Sequence, residues 1–228
     1  MNQPRSFPFQ TLFASPLFNF SIKDYVSLNS ELIVDAHALR KEDAGLHHSN
    51  QHGWHSRKDL FRWKEASFKK LCRAIVNSLH TATKEVAPEF NHAGYDLQLQ
   101  GWININDRGA FNAPHDHPGF CWSGCYYVKI PESSSGRSGL IEFLDPRTNI
   151  STMSVPESKM FAPKFQVKPR EGLLLIFPSY LKHWVYPNEQ NEERISIAFN
   201  ARFIKKREDN LPWFSVPPEL KGFLLISP

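Results

Sequence analysis

The stretch from residue 95 to residue 130 reads YDLQLQGWININDRGAFNAPHDHPGFCWSGCYYVKI and decides the fold class. In its first part, apolar and polar side chains alternate, so that Leu99 and Ile103 share one face of an extended segment while Trp102 and Asn104 share the other. An Asp-Arg-Gly turn signal ends the alternation. A period of two predicts a β-strand that is buried on at least one face.

Short strands continue through the second half of the chain. Six segments are apolar or alternating and are bounded by Gly, Pro, Asn or Asp, namely Ser123–Ile130, Leu140–Leu144, Lys164–Lys168, Leu173–Phe177, His183–Tyr186 and Arg194–Phe203. Strands of this length and spacing are typical of an antiparallel sandwich or barrel. Ahead of them, apolar residues at three- and four-residue steps predict helices from Asp24 to about Glu42 and from about Glu65 to Val86. We therefore expect a mainly β protein (α+β) whose N-terminal helices cover one face of a sheet.

The length of 228 residues is that of one large domain. We divide it into a lead-in and supporting helices over residues 1–92, a β core over residues 93–205, and a C-terminal strap over residues 206–228. The strap is expected to pack on the domain through the apolar run Phe223–Ile226.

Composition excludes several classes of protein. The net charge of +4 is scattered and forms no basic cluster, which argues against nucleic-acid binding. No apolar run approaches about 18 residues, so we expect no membrane span, and the N-terminus lacks the apolar stretch of a signal peptide. The three cysteines, Cys72, Cys121 and Cys125, do not form a disulfide framework, which favours a cytoplasmic location.

The segment His115-Asp116-His117 is a candidate metal site. In an extended segment, residues i and i+2 point to the same side, so His115 and His117 would project together and Asp116 away from them. A third histidine, His183, follows the strand Leu173–Phe177 through a short turn. Two ligands that are close in sequence and a third that is distant can coordinate one side of a metal ion and leave its other coordination positions open. Imidazole suits Fe, Zn, Cu and Ni alike, so the ligands do not identify the metal. Surface histidines in a loop are the alternative.

Arg194 and Ser196 share one face of the last predicted strand. An inward arginine in a small barrel is costly unless it meets an anion, and a guanidinium group with a neighbouring hydroxyl suits a carboxylate. Alternatively, Arg194 pairs with Glu192 or Glu193 at the rim or faces water.

Together these features resemble the Fe(II)/2-oxoglutarate-dependent oxygenases of the prolyl-hydroxylase-like superfamily. The segments that carry the resemblance, in chain order, are His115-x-His117, Cys125–Val128, Gly172-x-Leu174-x-x-Phe177, His183-x-Val185 and Arg194-x-Ser196. The chain is more similar still to a subfamily of uncharacterised bacterial and phage oxygenases, which share segments like Ser49–Ser56, Trp102-x-Asn104, Ser123–Tyr127, Phe177–Ser179 and Phe199-Asn200. The resemblance spans about residues 8–204.

The resemblance implies a double-stranded β-helix, the jelly-roll fold of the cupins, with iron and 2-oxoglutarate at its open end. It implies that His115, His117 and His183 bind Fe(II) and that no further catalytic residue is needed. Four residues are implied in cosubstrate binding: Arg194 and Ser196 at the distal carboxylate, Tyr127 at the same group, and Asn104 nearby. The loop 47–55, which holds four histidines, is expected near the substrate entrance rather than as a second metal site. Four aromatic residues are expected to supply the apolar wall of the site, namely Phe111, Phe120, Trp122 and Trp184.

His117 departs from the superfamily pattern, because most members have Asp or Glu at that position. A neutral imidazole there leaves the iron site one charge more positive. Asp116 would replace His117 as the ligand only if the loop were not extended.

The function implied is that of a dioxygenase that uses O2 to hydroxylate an unknown small-molecule or peptide substrate and releases succinate and CO2. The alternative is a non-oxidative metal-binding β-barrel, or a structural interaction domain with a vestigial site. The sequence is compatible with a homodimer but does not fix the oligomeric state.

Overall fold

Two α-helices and twelve β-strands make up the computed structural model of the chain, which describes residues 12–46, 48–132, 136–147, 157–206 and 223–225. The helices are α1 (Tyr25–Glu42) and α2 (Ala66–Val86). The strands are β1 (Phe18–Ser21), β2 (Asn50–Gln51), β3 (Trp54–His55), β4 (Tyr95–Asn106), β5 (Phe111–His115), β6 (Trp122–Lys129), β7 (Ile141–Leu144), β8 (Lys164–Val167), β9 (Leu173–Pro178), β10 (His183–Val185), β11 (Arg194–Lys205) and β12 (Phe223–Leu225). The mainly β fold with N-terminal helices is confirmed, and the six later predicted strands lie within one or two residues of their expected bounds.

The strands form two sheets. The larger has the order β1-β9-β6-β11-β4-β12, with β3 also paired to β4, and the smaller has the order β2-β5-β10-β7-β8. All pairs are antiparallel except β12 with β4. Strand partners that are distant in the chain, such as β5 with β10, are what a double-stranded β-helix requires.

The helices cover the outer face of the larger sheet. The apolar stripe of α2, which includes Phe68, Leu71, Ile75 and Leu79, is fully buried. It packs in one apolar cluster with the odd-numbered face of β4 and with alternate residues of β6, β9 and β11. Cys72 belongs to this stripe, and burial raises the pKa of its thiol to about 12, so it is a core thiol.

A second, smaller cluster fills part of the space between the two sheets. It comprises Tyr127, Ile141, Phe143, Leu173, Leu175, Phe177, Leu181 and Val185. The adjacent residues Tyr126 and Tyr127 therefore belong to opposite faces of β6: Tyr126 packs toward the helices and Tyr127 packs between the sheets. The even-numbered face of β4 is also buried, with Trp102, Asn104 and Asn106 at 6%, 5% and 1% exposure, so polar side chains lie inside the sandwich.

The structure refines two expectations about the N-terminal half. The part of the lead-in that is described contains β1, which pairs with β9 at the edge of the larger sheet. The loop 47–55 contains the short strands β2 and β3, which pair with β5 and β4 and tie the loop to both sheets. Of the predicted strap, residue 206 and β12 are described, and residues 207–222 and 226–228 lie outside the described residues. None of the helices in the described ranges has the length and apolarity needed to cross a bilayer.

Gly124 on β6 sits where no side chain fits. A Cβ atom there would overlap Phe199 Cζ and lie 2.5 Å from the Leu175 carbonyl oxygen. We expect Gly124→Ala to lower the free energy of unfolding by about 1–3 kcal/mol, the usual cost of overpacking a core. Gly94→Ala is the matched control, because no atom lies within 4 Å of its would-be Cβ. Urea denaturation measures both, and equal midpoints for the two variants would contradict this account of the packing.

Candidate active site

Three histidines come together at one end of the space between the sheets. His115 ends β5 and His183 begins β10, and the two residues are direct partners in the antiparallel ladder. His117 follows two residues after β5, and one ligand atom from each of the three side chains lies within 4.8 Å of the others. The residues that the sequence predicts as a metal site are therefore neighbours in space, at separations that could hold one metal ion.

Two of the three rings have a fixed orientation. His115 Nδ1 lies 2.7 Å from the Ala113 carbonyl oxygen, and His183 Nδ1 lies 2.8 Å from the Leu181 carbonyl oxygen. Because a carbonyl oxygen only accepts hydrogen bonds, each Nδ1 carries the proton, and the lone pair of each imidazole is then on Nε2. A backbone carbonyl that fixes the tautomer in this way is the usual outer partner of a metal-binding histidine.

A chain of hydrogen bonds holds the segment that carries His117. The His117 backbone N–H donates to the Ser179 carbonyl at 3.0 Å. The Ser179 hydroxyl bonds to the Ser123 hydroxyl at 2.8 Å, and Ser123 Oγ donates to Asn200 Oδ1 at 2.8 Å. Asp116 is exposed and is not part of the histidine cluster, so the alternative in which Asp116 replaces His117 is wrong for this structure.

The environment of the cluster favours neutral imidazoles. Burial, together with the smaller effect of the neighbouring histidines, lowers the pKa of His183 and of His117 to about 3 each. Burial also lowers the pKa of His115. Because only a neutral imidazole can donate a lone pair to a metal, the site is in its ligating form at neutral pH.

At the other end of the same space, three strands of the larger sheet place three polar side chains in one row. Ser196 on β11 pairs directly with Asn104 on β4 and with Tyr127 on β6. In the next row Arg194 donates from Nη1 to Ser196 Oγ at 3.0 Å, and its guanidinium carbon lies 5.3 Å from the centroid of the Tyr127 ring. All four predicted cosubstrate residues are thus gathered at one place.

Arg194 is buried without a counter-charge. It is 2% exposed, and among the described residues no carboxylate forms an ion pair with it. Glu193, which the sequence offered as a partner, instead contacts His37 at 2.6 Å and Lys129 at 3.6 Å. The alternative in which Arg194 pairs with a neighbouring glutamate or faces water is therefore wrong.

Several buried polar atoms near Arg194 have no hydrogen-bond partner among the described residues. They include Arg194 Nε, the Tyr127 hydroxyl, Asn104 Oδ1 and Asn106 Oδ1. Buried polar groups are almost always paired, so a concentration of unpaired ones indicates a place for a polar ligand. Because Arg194 and Tyr127 are donors and one of them is cationic, the site fits an anion such as a carboxylate.

One cavity joins the two ends. The described residues that line it are Ser49, Trp102, Asn104, Asn112, His115, His117, Gly124, Cys125, Tyr127, Ile141, Phe177, His183, Val185, Arg194, Ser196 and Ala198. This pocket, named the central pocket below, therefore holds the histidine cluster and Arg194 at the same time.

The apolar wall of the central pocket differs from the one predicted. The sequence offered Phe111, Phe120, Trp122 and Trp184, whereas Trp102, Ile141, Phe177 and Val185 form the wall. Trp122 donates to Thr83 Oγ1 at the helix interface, and Trp184 donates to Glu142. Asn112 and Cys125 also line the pocket and were not predicted. Cys125 lies two residues before Tyr127 in β6, so alternation along the strand could have indicated it. Asn112 lies three residues before His115 in a ladder with a register shift, so alternation gives no signal for it.

The histidine-rich loop adjoins the central pocket. His55 is 2% exposed and stacks on Trp102 with 5.3 Å between the ring centroids, and Trp102 lies 5.9 Å from the His117 ring. Among the described residues, His115, His117 and His183 form the only group of three or more His, Cys, Asp or Glu side chains that could hold a metal ion. His47 lies outside the described residues.

A family model matches the part of the chain that carries this site. Residues 100–200 match the family described as "Putative 2OG-Fe(II) oxygenase". That segment runs from within β4 to within β11 and contains every predicted site residue. The match covers a little under half of the chain, and it shows that this segment is similar to the 2OG-Fe(II) oxygenases. A search of curated proteins finds no significant match.

Solved structures share the fold. A prolyl-4-hydroxylase from Pseudomonas putida is 14% identical with a TM-score of 0.58, over 82% of this chain and 91% of that chain. The epimerase SnoN from nogalamycin biosynthesis, in complex with Fe3+, alpha ketoglutarate and nogalamycin RO, is 12% identical with a TM-score of 0.60, over 93% and 92%. HygX from Streptomyces hygroscopicus, with nickel, 2-oxoglutarate and hygromycin B bound, is 13% identical with a TM-score of 0.55, over 82% and 83%. At these identities the likeness shows the double-stranded β-helix alone.

The two adjacent tyrosines of β6 give a matched test of the unpaired atoms. The Tyr126 hydroxyl donates to Asn29 Oδ1 at 2.6 Å, whereas the Tyr127 hydroxyl has no partner among the described residues. We expect Tyr126→Phe to lower the free energy of unfolding by about 1–3 kcal/mol, because it leaves the Asn29 oxygen buried and unpaired. Without added ligand, Tyr127→Phe should cost less than about 0.5 kcal/mol. Urea denaturation measures both, and equal losses would mean that the Tyr127 hydroxyl is already satisfied.

Proposed function

We propose that the protein hydroxylates a small-molecule or peptide substrate, with release of succinate and CO2. In this proposal His115, His117 and His183 bind Fe(II). Arg194, Ser196 and Tyr127 bind the distal carboxylate of 2-oxoglutarate, and Asn104 lies beside them. The non-oxidative metal-binding barrel is the competing proposal, and it differs in leaving 2-oxoglutarate unchanged.

The observation that carries the proposal is the buried, unpaired Arg194 in the same pocket as the histidine cluster. A guanidinium group that is removed from water and has no counter-ion is costly to the fold. A dicarboxylic acid offsets that cost at one end, while its other end faces the three imidazoles across the central pocket. A simple metal-storage site would not require the arginine.

Each group of the chain has a definite task in this proposal. The Nδ1–H groups of His115 and His183 stay bonded to backbone carbonyls and hold both rings in the orientation that directs Nε2 inward. Arg194 and Tyr127 supply charge-assisted and neutral hydrogen bonds to a carboxylate. Phe177 and Ile141 limit the access of water, which strengthens the contacts of Arg194. Bound Fe(II) supplies the redox chemistry with O2, and the chain supplies position and shielding.

The proposal is tested with His183→Ala. We expect wild-type protein to take up one Fe(II) and to convert 2-oxoglutarate to succinate with ascorbate and O2. The variant should lose both properties, because it removes a ligand whose atom lies within 4.8 Å of the other two. His52→Asn is the control, since His52 is exposed and outside the cluster. Metal analysis and succinate detection are the measurements.

Two results would reject parts of the proposal. Equal iron content in His183→Ala and wild type would reject the ligand set. Wild-type protein that binds iron but neither produces succinate nor binds 2-oxoglutarate by calorimetry would leave the non-oxidative metal-binding barrel in its place.

The role of Arg194 is tested by the affinity for 2-oxoglutarate at equal metal content. Arg194→Lys keeps the charge but loses the two-pronged contact, and we expect a loss of about 1–2 kcal/mol. Arg194→Ala leaves the distal carboxylate unpaired, and we expect about 2–4 kcal/mol. Metal binding should survive both changes. Arg202→Lys is the control, because Arg202 lies on the same strand but donates to Gln98. Equal affinities across all four proteins would show that Arg194 is not a cosubstrate residue.

A further inference from the structure

Lys58 is a second cation beside the central pocket, and no anion pairs with it within the described ranges. Its side chain is half-buried, and it forms no hydrogen bond or ion pair with another described residue. Its Nζ atom lies 5.5 Å from the centroid of the Trp102 ring. Trp102 lines the central pocket and lies 5.9 Å from the His117 ring, so Lys58 is next to the histidine end of the pocket.

Lys58 and Arg194 act at opposite ends of this pocket. Lys58 Nζ lies 5.5 Å from the centroid of the Trp102 ring, whereas the Arg194 guanidinium carbon lies 5.3 Å from the centroid of the Tyr127 ring, so the two cations lie against different aromatic side chains of the pocket. Burial lowers the pKa of Lys58, which is the effect expected for an ammonium group that has lost water and gained no partner. A dicarboxylic acid bound at Arg194 presents its second carboxylate to the three histidines, so no anion remains for Lys58, which lies beside Trp102 and is not among the described lining residues.

The pocket offers Lys58 no carboxylate of its own. The described lining residues include three histidines and one arginine but neither Asp nor Glu. The Trp102 ring attracts the ammonium through its π face, but His55 stacks on the same ring, and a ring cannot replace a counter-ion. A half-buried cation beside a pocket, with a flexible stem and an aromatic surface next to it, suits an anionic group on an incoming molecule.

We propose, on the basis of the function proposed above, that the substrate to be hydroxylated carries an anionic oxygen group, a carboxylate or a phosphate, and that Lys58 binds this group beside Trp102. Lys58 is then a specificity-determining residue. It selects the substrate by charge, and Arg194 selects the cosubstrate.

The test uses the full chain saturated with Zn(II) and 2-oxoglutarate, so that the Arg194 end is filled. The probes are acetate and methyl phosphate, with acetamide as the neutral analogue of acetate. The indole N–H signal of Trp102, assigned with Trp102→Phe, reports binding by NMR. We expect saturable shifts with the two anions and none with acetamide, and the tighter of the two anions identifies the group as carboxylate or phosphate.

The variants separate the charge of Lys58 from nonspecific effects. Lys58→Gln should weaken anion binding at least tenfold, and Lys58→Arg should stay within about threefold of wild type, since it restores the charge. Lys64→Gln removes the same charge from an exposed position nearby and should behave as wild type. Native dispersion of the NMR spectrum verifies that each variant is folded.

Three outcomes would overturn the inference. They are equal anion affinity in Lys58→Gln and wild type, an equal response to acetamide and acetate, or a loss of 2-oxoglutarate affinity in Lys58→Gln as large as in Arg194→Ala. The last would make Lys58 a cosubstrate residue. Wild-type protein that binds no 2-oxoglutarate would instead reject the proposed function, and this inference with it.

Discussion

A guanidinium group enclosed between two sheets, with no carboxylate partner in the described structure, is the constraint on which the site depends. Arg194 is 2% exposed and bonds only to Ser196 among the contacts described above. Its burial is tolerable if a ligand completes the set of contacts, because an unpaired buried charge is costly and a paired, hydrogen-bonded one is not. The row of Asn104, Ser196 and Tyr127 exists because three long strands are in register at this point.

The apolar outer face of the same strands offsets the free-energy cost of burying polar side chains on the inner face. Ile195, Ile197 and Phe199 alternate with Arg194 and Ser196 along β11 and are buried under the helices. Each large apolar side chain buried there contributes about 1.5–3 kcal/mol. Stability therefore comes mainly from the helix-covered side of the sheet, and the side that faces the smaller sheet is free to carry chemistry.

Local periodicity predicts much of this structure, and long-range pairing accounts for the rest. The alternation along β4 and β11 puts Asn104 and Ser196 on inner faces, as the sequence indicates. The strands β2 and β3 were not predicted, because two residues carry no periodic signal and their partners lie far away in the chain. The prediction of the apolar pocket wall was wrong for a related reason. Strand β9 is apolar on both faces, so its sequence does not indicate that Phe177, rather than a tryptophan elsewhere, faces the histidines.

The charge of the central pocket links the unusual histidine to the unpaired lysine. In the proposed metal site, with His117 in place of a carboxylate, the chain would contribute three neutral imidazoles, so its ligands would not reduce the charge of a divalent ion. Arg194 adds a positive charge at one end and Lys58 another beside Trp102, while no acidic side chain is among the described lining residues. The dianion 2-oxoglutarate neutralises only part of this total. An anionic group on the substrate would reduce the remaining positive charge beside Lys58. The histidine at position 117 and the unpaired Lys58 therefore both favour a substrate that carries an anionic group.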